Sequence, residues 1–394
     1  MDGKVSEMEA VQKKNKYEID MCNGTIMDKL ISFSIPLMLS GILQLMFNAV
    51  DIVVVGRFSG SQALAAVGST TALINVFTNL FIGISLGANV LAARYYAAGK
   101  TKEMSETVHT AIALALVSGV AMAVIGVVFA RGALEIMGTP DDVIAKSTLY
   151  MRIYFCGMPF FMMYNYGAAI LRAVGDTKRP LIFLIVSGVI NAVLNLFLVI
   201  GFHLDVAGVG IATVISQLVS CILVLRCLHH TESSYQLHLA KLRIRSVYLK
   251  QIFEVGVPAG IQSTVINISN AMLQSSVNSF GSIAMAGYTA SNNIFGFLYV
   301  SVNSFTQACM SFTSQNYGVK KLKRMDRVLI DCMILSVVVT LILGSSVYIF
   351  GPELLHIYSN QADVIKYGME IFSYTTVTYF LCGLMDLFPG ALRG

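Results

Sequence analysis

The sequence contains no tryptophan and little charge. Asp, Glu, Lys and Arg make up 12% of its 394 residues, whereas a soluble domain carries about 25%. The shortage runs along nearly the whole chain. That excludes a soluble domain with a single anchor and leaves a polytopic, all-α membrane protein. Without tryptophan, the 17 tyrosines must supply the interfacial belt. Cysteines at 22, 156, 221, 227, 309, 332 and 382 are scattered, mostly within apolar stretches, and show no CxxC or Cys/His spacing. They read as small buried hydrophobes rather than a disulfide or zinc framework.

Catalytic patterns are missing as well. The six histidines form no HExxH, and no Ser/His/Asp constellation can be assembled. GKT at 99–101 resembles the tail of a P-loop, but Arg94 stands where its first glycine belongs, and an apolar helix precedes it instead of a strand. The chain is therefore not expected to be an enzyme, to hold a cofactor, or to bind nucleotide or nucleic acid. The sequons at Asn23 and Asn267 fall in the polar N-terminal segment and in an apolar span, and neither is taken as a glycosylation site.

What is present is a series of ten apolar spans, at about 31–55, 63–95, 106–130, 146–171, 180–202, 206–229, 251–276, 284–314, 327–350 and 364–390. Each is long enough to cross a bilayer, which takes about 20 helical residues. Residues 1–29 are polar and mixed in charge and lack the apolar core of a cleaved leader. They are expected to form a flexible cytosolic tail. With the N-terminus in the cytosol, 22 Lys and Arg fall on the cytosolic side and five on the other (Arg57, Arg131, Lys146, Arg152 and Lys366). This asymmetry predicts a multi-pass protein of the cytoplasmic membrane with a cytosolic N-terminus.

The longest break, 230–250, is polar and basic and reads as a cytosolic linker between two halves, 30–229 and 251–394. The second half resembles the first. Pro36 pairs with Pro258, 222 residues on. GTPDDV (138–143) pairs with SNQADV (359–364), and AAILRA (168–173) with PGALRG (389–394), both at 221. The offset predicts two six-helix lobes related by a pseudo-two-fold axis along the membrane normal. By the same arithmetic, Gly394 matches Ala173 at the end of a fourth span. Ten of an expected twelve helices are then present, and the chain is expected to be incomplete at its C-terminus.

Polar residues inside the spans carry the functional signal. Asp51 is a carboxylate near the outer end of span one, and an intramembrane acid costs at least about 2.5 kcal/mol to insert. Gln44 and Asn48 share its helical face at spacings of four and three. In span five, Ser187, Asn191 and Asn195 lie four apart. In span six, Thr213, Ser216 or Gln217, and Ser220 form a similar face. At about 1.5 Å per residue, Asp51, Asn195 and Thr213 all fall in the outer half of the membrane. One acid, two amide oxygens and a hydroxyl at similar depth make an oxygen site for a small cation such as Na⁺. The competing reading is that Asn and Thr only join helices by hydrogen bonds. For Asp51 that reading is weaker, because a buried anion needs a cation or a proton. The first span of the second half offers only the neutral Asn267, Asn270 and Gln274. Asp386, near the inner end of span ten, ranks below Asp51, with a solvated helix end as its alternative. Glu254 and Glu370 are expected at the interface.

These stretches resemble the multidrug and toxic compound extrusion (MATE) family of secondary transporters. The resemblance rests on PLMLSGILQLMFNAVDIVVVGR (36–57), ALAAVG (63–68), LRAVGDTKRP (171–180), NAVLNLFLVIG (191–201) and DVAGVGIATVISQ (205–217), and covers residues 25–394. It implies twelve helices in two lobes and export of organic cations or drugs in exchange for Na⁺ or H⁺. By position, Asp51, Asn191 and Thr213 match polar residues of the family's first, fifth and sixth helices. Asn195 stands where many bacterial relatives have a second Asp, which removes one negative charge from the implied cation site. No acid near 262–270 matches the one that some relatives carry in the seventh helix. A monomer in contact with membrane lipid is expected, working by alternating access, with Pro36 as the bend point of span one. A flippase of lipid-linked precursors with a related two-lobe fold is the alternative. It would be expected to need an arginine-rich central cavity, and the spans contain almost no interior Arg.

Overall fold

The computed structural model describes residues 16–394. Lys4, Lys13 and Lys14, which count toward the cytosolic side, and the first half of the expected tail lie outside the described residues. Within them, the secondary structure is helical throughout. The helices are α1 (Met27–Phe58), α2 (Ser61–Ala97), α3 (Thr101–Ile136), α4 (Asp141–Cys156), α5 (Met158–Ala173), α6 (Lys178–Leu196), α7 (Asp205–His229), α8 (Ser246–Asn278), α9 (Ser282–Gly318), α10 (Leu322–Ile349), α11 (Gly351–His356) and α12 (Ala362–Arg393). A π turn, Phe197–Gly201, extends α6. The fourth predicted span is two helices, because α4 and α5 break at Gly157, two residues before Pro159.

Seven helices among the described residues are long and apolar enough to cross a membrane: α1, α2, α3, α6 with its π turn, α7, α10 and α12. The other three predicted spans also form helical rods. The fourth is divided at Gly157, while α8 and α9 carry many Ser, Asn and Gln. Polar side chains on long helices mark faces turned away from lipid.

The internal repeat is visible in the geometry. Helices α9, α10 and α12 each begin 221 residues after α2, α3 and α4. Gly60 and Gly281 both sit at positive φ, +85° and +96°. Gly99 ends α2 at φ +67°, with its own N–H on the Tyr96 carbonyl and the Lys100 N–H on the Tyr95 carbonyl. That is a Schellman C-cap. The same two bonds close α9, but Lys320 holds the left-handed position at φ +58°. The GKT sequence is therefore a helix-ending turn.

The first lobe has one large apolar core built from α2 to α7, reaching Val54 and Val55 at the outer end of α1. The lobes meet where α2 crosses α8 and α1 crosses α9. A Cβ on Gly83 would overlap the Gly260 backbone, and one on Gly87 would overlap Ile252 and Gly256. Only glycines allow two backbones this close. These contacts lie on the halves of α2 and α8 nearer the cytosolic ends assigned from charge. Beyond them, Ile261, Val265, Ile268 and Met272 of α8 are exposed. The lobes are thus joined along the Ala97 end of α2 and the Ser246 end of α8, and the α8 side chains beyond that seam are uncovered.

Helix α1 is shared between the two lobes. Its outer half packs on the first lobe, where the Phe47 ring lies against Gly188 of α6 at a distance that no Cβ would permit. Its inner half does not. Leu30, Phe33 and Leu37 are buried with Phe305, Phe312, Val328 and Leu387 of α9, α10 and α12. The Phe33 and Phe312 rings meet edge to face, 5.7 Å apart. Pro36 lies between the two regimes, inside an unbroken helix. It has no N–H to give the Ser32 carbonyl, and Ser40 Oγ donates to its own carbonyl at 2.8 Å.

Residues 17–26, assigned to the flexible tail by composition, are anchored. Met21 is fully buried, and Ile26 nearly so. Composition missed this because the segment is held largely through its backbone carbonyls, which leave no pattern in side-chain polarity.

Candidate functional site

The four residues grouped in the sequence converge on one point of the first lobe. Asn195 is fully buried and Asn191 is 4% exposed, one turn apart on α6. The Asn195 amide Nδ2 donates to Asp51 Oδ1 of α1 and to Asn191 Oδ1 at 3.2 Å. Asn191 Nδ2 in turn donates to Thr213 Oγ1 of α7 at 3.5 Å. Thr213 Oγ1 donates to the Val209 carbonyl at 2.9 Å. The four side chains therefore form one hydrogen-bonded chain that ties α1 to α6 and α6 to α7.

The orientation of Asn195 has a chemical cause. An ionised carboxylate only accepts hydrogen bonds, so Asn195 must turn its amide nitrogen toward Asp51. Its carbonyl oxygen then points the other way, buried and without a hydrogen-bond partner. An unmet buried carbonyl costs about 1–3 kcal/mol. The π turn begins two residues beyond Asn195. Such turns widen a helix locally and occur often at functional sites.

Three residues not singled out for the site complete it. Tyr150 and Tyr154 of α4 are close enough to Asp51 for its charge to act on them. They lie four apart on one helical face, a signal the sequence offers but shares with many core tyrosines. Gln217, one turn from Thr213 on α7, carries a second buried carbonyl oxygen without a partner.

The remaining candidates fall elsewhere. Gln44 and Asn48 are exposed on α1 and do not join the Asp51 cluster. Asp386 of α12 is partly buried. It meets the Tyr299 hydroxyl and faces Arg393, whose guanidinium reaches Gln262 of α8. That is a second polar cluster, in the other lobe, rather than a solvated helix end. Glu254 and Glu370 are exposed. Among the described residues, no group of three or more His, Cys, Asp or Glu side chains could hold a metal ion. A cation at Asp51 would therefore rest on one carboxylate and neutral oxygens.

The MatE family model matches residues 36–197 and again 258–394. The chain belongs to the MATE family. The two matched stretches begin at Pro36 and Pro258, where the internal repeat also begins. The probable multidrug resistance protein YoeA of Bacillus subtilis is 30% identical over 368 residues, covering 92% of this chain and 80% of that protein. The multidrug export protein MepA of Staphylococcus saprophyticus is 23% identical, covering 94% and 82%. Among solved structures, an outward-facing multidrug resistance MATE transporter of the MOP superfamily superimposes with a TM-score of 0.89, covering 97% of this chain and 86% of that one at 20% identity. The MATE two-lobe architecture is thus this chain's fold.

Proposed function

We propose that this MATE protein is a cation-coupled antiporter. It exports organic cations or drugs across the cytoplasmic membrane, by alternating access, in exchange for Na⁺ or H⁺. The observation that carries this reading is the buried Asp51–Asn195–Asn191–Thr213 cluster. One carboxylate among neutral oxygens suits a monovalent cation or a proton. The oxygens of Asn195 and Gln217, left without a protein donor, are two neutral ligands that a cation bound at Asp51 could use.

Coupling follows from where Asp51 sits. An ion entering from the outer side neutralises Asp51 and changes what it asks of Asn195. Helix α1 then repacks on α6, with Pro36 as the point where it bends. Because the inner half of α1 packs on the second lobe, the change reaches both lobes. Substrate leaves as the lobes exchange inward- and outward-open arrangements, and no nucleotide is required. The names of the relatives support drugs as substrates. Exposed Gln44 and Asn48 provide polar contacts to substrate. The charge asymmetry supports a cytosolic N-terminus, and a monomer holds the complete cluster.

Reconstituted vesicles loaded with cationic dyes test the reading, with Na⁺ and pH gradients imposed separately. Dye export driven by either gradient is the expected result. Export that depends on neither would overturn the proposal.

A further inference from the structure

Residues 17–26 cross the cytosolic ends of both lobes and are fastened to each by different chemistry. On the first lobe the ties are polar. Ile19 N–H donates to the Gly175 carbonyl at 3.2 Å. The Tyr96 and Tyr235 hydroxyls donate to the two Glu18 carboxylate oxygens at 2.8 and 2.6 Å. Arg179 braces Tyr235 at 3.3 Å and lies over the Tyr17 ring. Burial, and then the Glu18 carboxylate itself, push the Tyr235 hydroxyl up to about 12, so it stays a donor at any physiological pH. Gly175 stands at φ +96°, and a Cβ there would press on the Ile19 backbone. The first lobe is thus shaped to receive this segment.

On the second lobe the ties are deeper. Asn316 Nδ2 donates to the Met21 carbonyl at 3.1 Å. Lys321 Nζ reaches Cys22 O and Asn23 Oδ1 at 2.9 and 2.8 Å. Arg324 donates to the Asn23 and Gly24 carbonyls at 3.1 and 2.9 Å. Met21 and Ile26 join Leu30 and Phe33 in the apolar core formed with α9, α10 and α12.

These attachments are not equivalent when the lobes separate. When that seam opens, water can take the place of the partners of Glu18 and Ile19, because a hydrogen bond lost within the protein is regained to solvent. Leaving the second lobe would break the charged bonds from Lys321 and Arg324 and would also expose Met21 and Ile26, whose burial water cannot replace. The weak seam is the one at Glu18.

We propose that residues 17–26 are a cytosolic latch that moves with the second lobe and is released from the first at Glu18 and Ile19 each time the cytosolic side opens. The proposal rests on the alternating-access reading for its purpose, but its test reads conformation and not transport.

Two cross-links separate the seams. In a protein whose only cysteines are native Cys22 and Lys321→Cys, a short bifunctional maleimide ties the latch to the second lobe. In a protein whose only cysteines are Glu18→Cys and Tyr235→Cys, a spacer of matching length ties it to the first. Hydrogen exchange of the α2 segment 80–97 and the α8 segment 246–260 reports cytosolic opening in both, without substrate. The first link is expected to leave exchange within about twofold of the unlinked protein, and the second to slow it by about tenfold or more. Glu18→Ala, and more mildly Glu18→Gln, are expected to speed it. Slowing by the first link as strong as by the second, or no slowing by the second, overturns the latch. Opening that obeys these links in a protein that exports no dye would overturn the antiporter reading and leave the latch standing.

Discussion

The side-chain amide of Asn195 donates to the carboxylate of Asp51, which lies 144 residues away on another helix. This bond is the meeting point of α1 and α6, and its direction is set by the charge on Asp51. Protonating Asp51 gives it an O–H as well as an acceptor oxygen, so Asn195 is then free to face it with either its nitrogen or its oxygen.

Asp51→Asn keeps the volume and removes the charge. Gradient-driven dye efflux is expected to fall to background, while expression and membrane insertion stay at wild-type levels. Efflux that still responds to Na⁺ or pH in this variant would show that coupling lies elsewhere.

Asn195→Asp restores a second carboxylate where relatives are expected to carry one. A unit charge about 4 Å from an ion contributes about 4 kcal/mol at an effective dielectric of 20, before desolvation is subtracted. A net gain of only about 1.4 kcal/mol would lower the half-saturating Na⁺ concentration tenfold. Titrating Na⁺-driven efflux in vesicles measures this, and an unchanged Na⁺ dependence would argue against a cation at this cluster.

Gly83 and Gly260 bring the backbones of α2 and α8 together. Gly83→Leu cannot be accommodated without separating them, and overpacking of this kind costs about 1–3 kcal/mol. Cytosolic opening, read by thiol labelling of a cysteine placed at Val90, is expected to increase. Gly68→Leu, on the same helix with open space around it, is the control and should leave labelling unchanged.

Lys320 holds a left-handed conformation where the first lobe uses Gly99. That geometry costs a residue with a Cβ about 1–2 kcal/mol, part of which glycine returns as backbone entropy. Lys320→Gly should therefore raise the melting temperature of the purified protein by a few degrees. The reverse change, Gly99→Lys, should lower it.

The helices, their offset and the grouping of the site residues were legible in the sequence because each follows from a periodic or additive property. Apolar length sets a span, and rise per residue sets depth. That is why Asp51, Asn191, Asn195 and Thr213 could be grouped before any contact was known. Tyr150 and Tyr154 could not, since a tyrosine pair on an apolar helix looks the same in a core as at a site. The break at Gly157 was hidden inside one long apolar run. The anchoring of residues 17–26 depends on backbone carbonyls taken by Asn316, Lys321 and Arg324, almost three hundred residues later in the chain. No local pattern records such a pairing.

The division of α1 also has a meaning in time. Met21, Leu30 and Phe33 leave the ribosome hundreds of residues ahead of Phe305, Phe312, Val328 and Leu387, which cover them. The inner half of the first helix must wait in the membrane for most of synthesis without its final neighbours. Each lobe can form its own core early, but neither can finish until the chain returns to where it began.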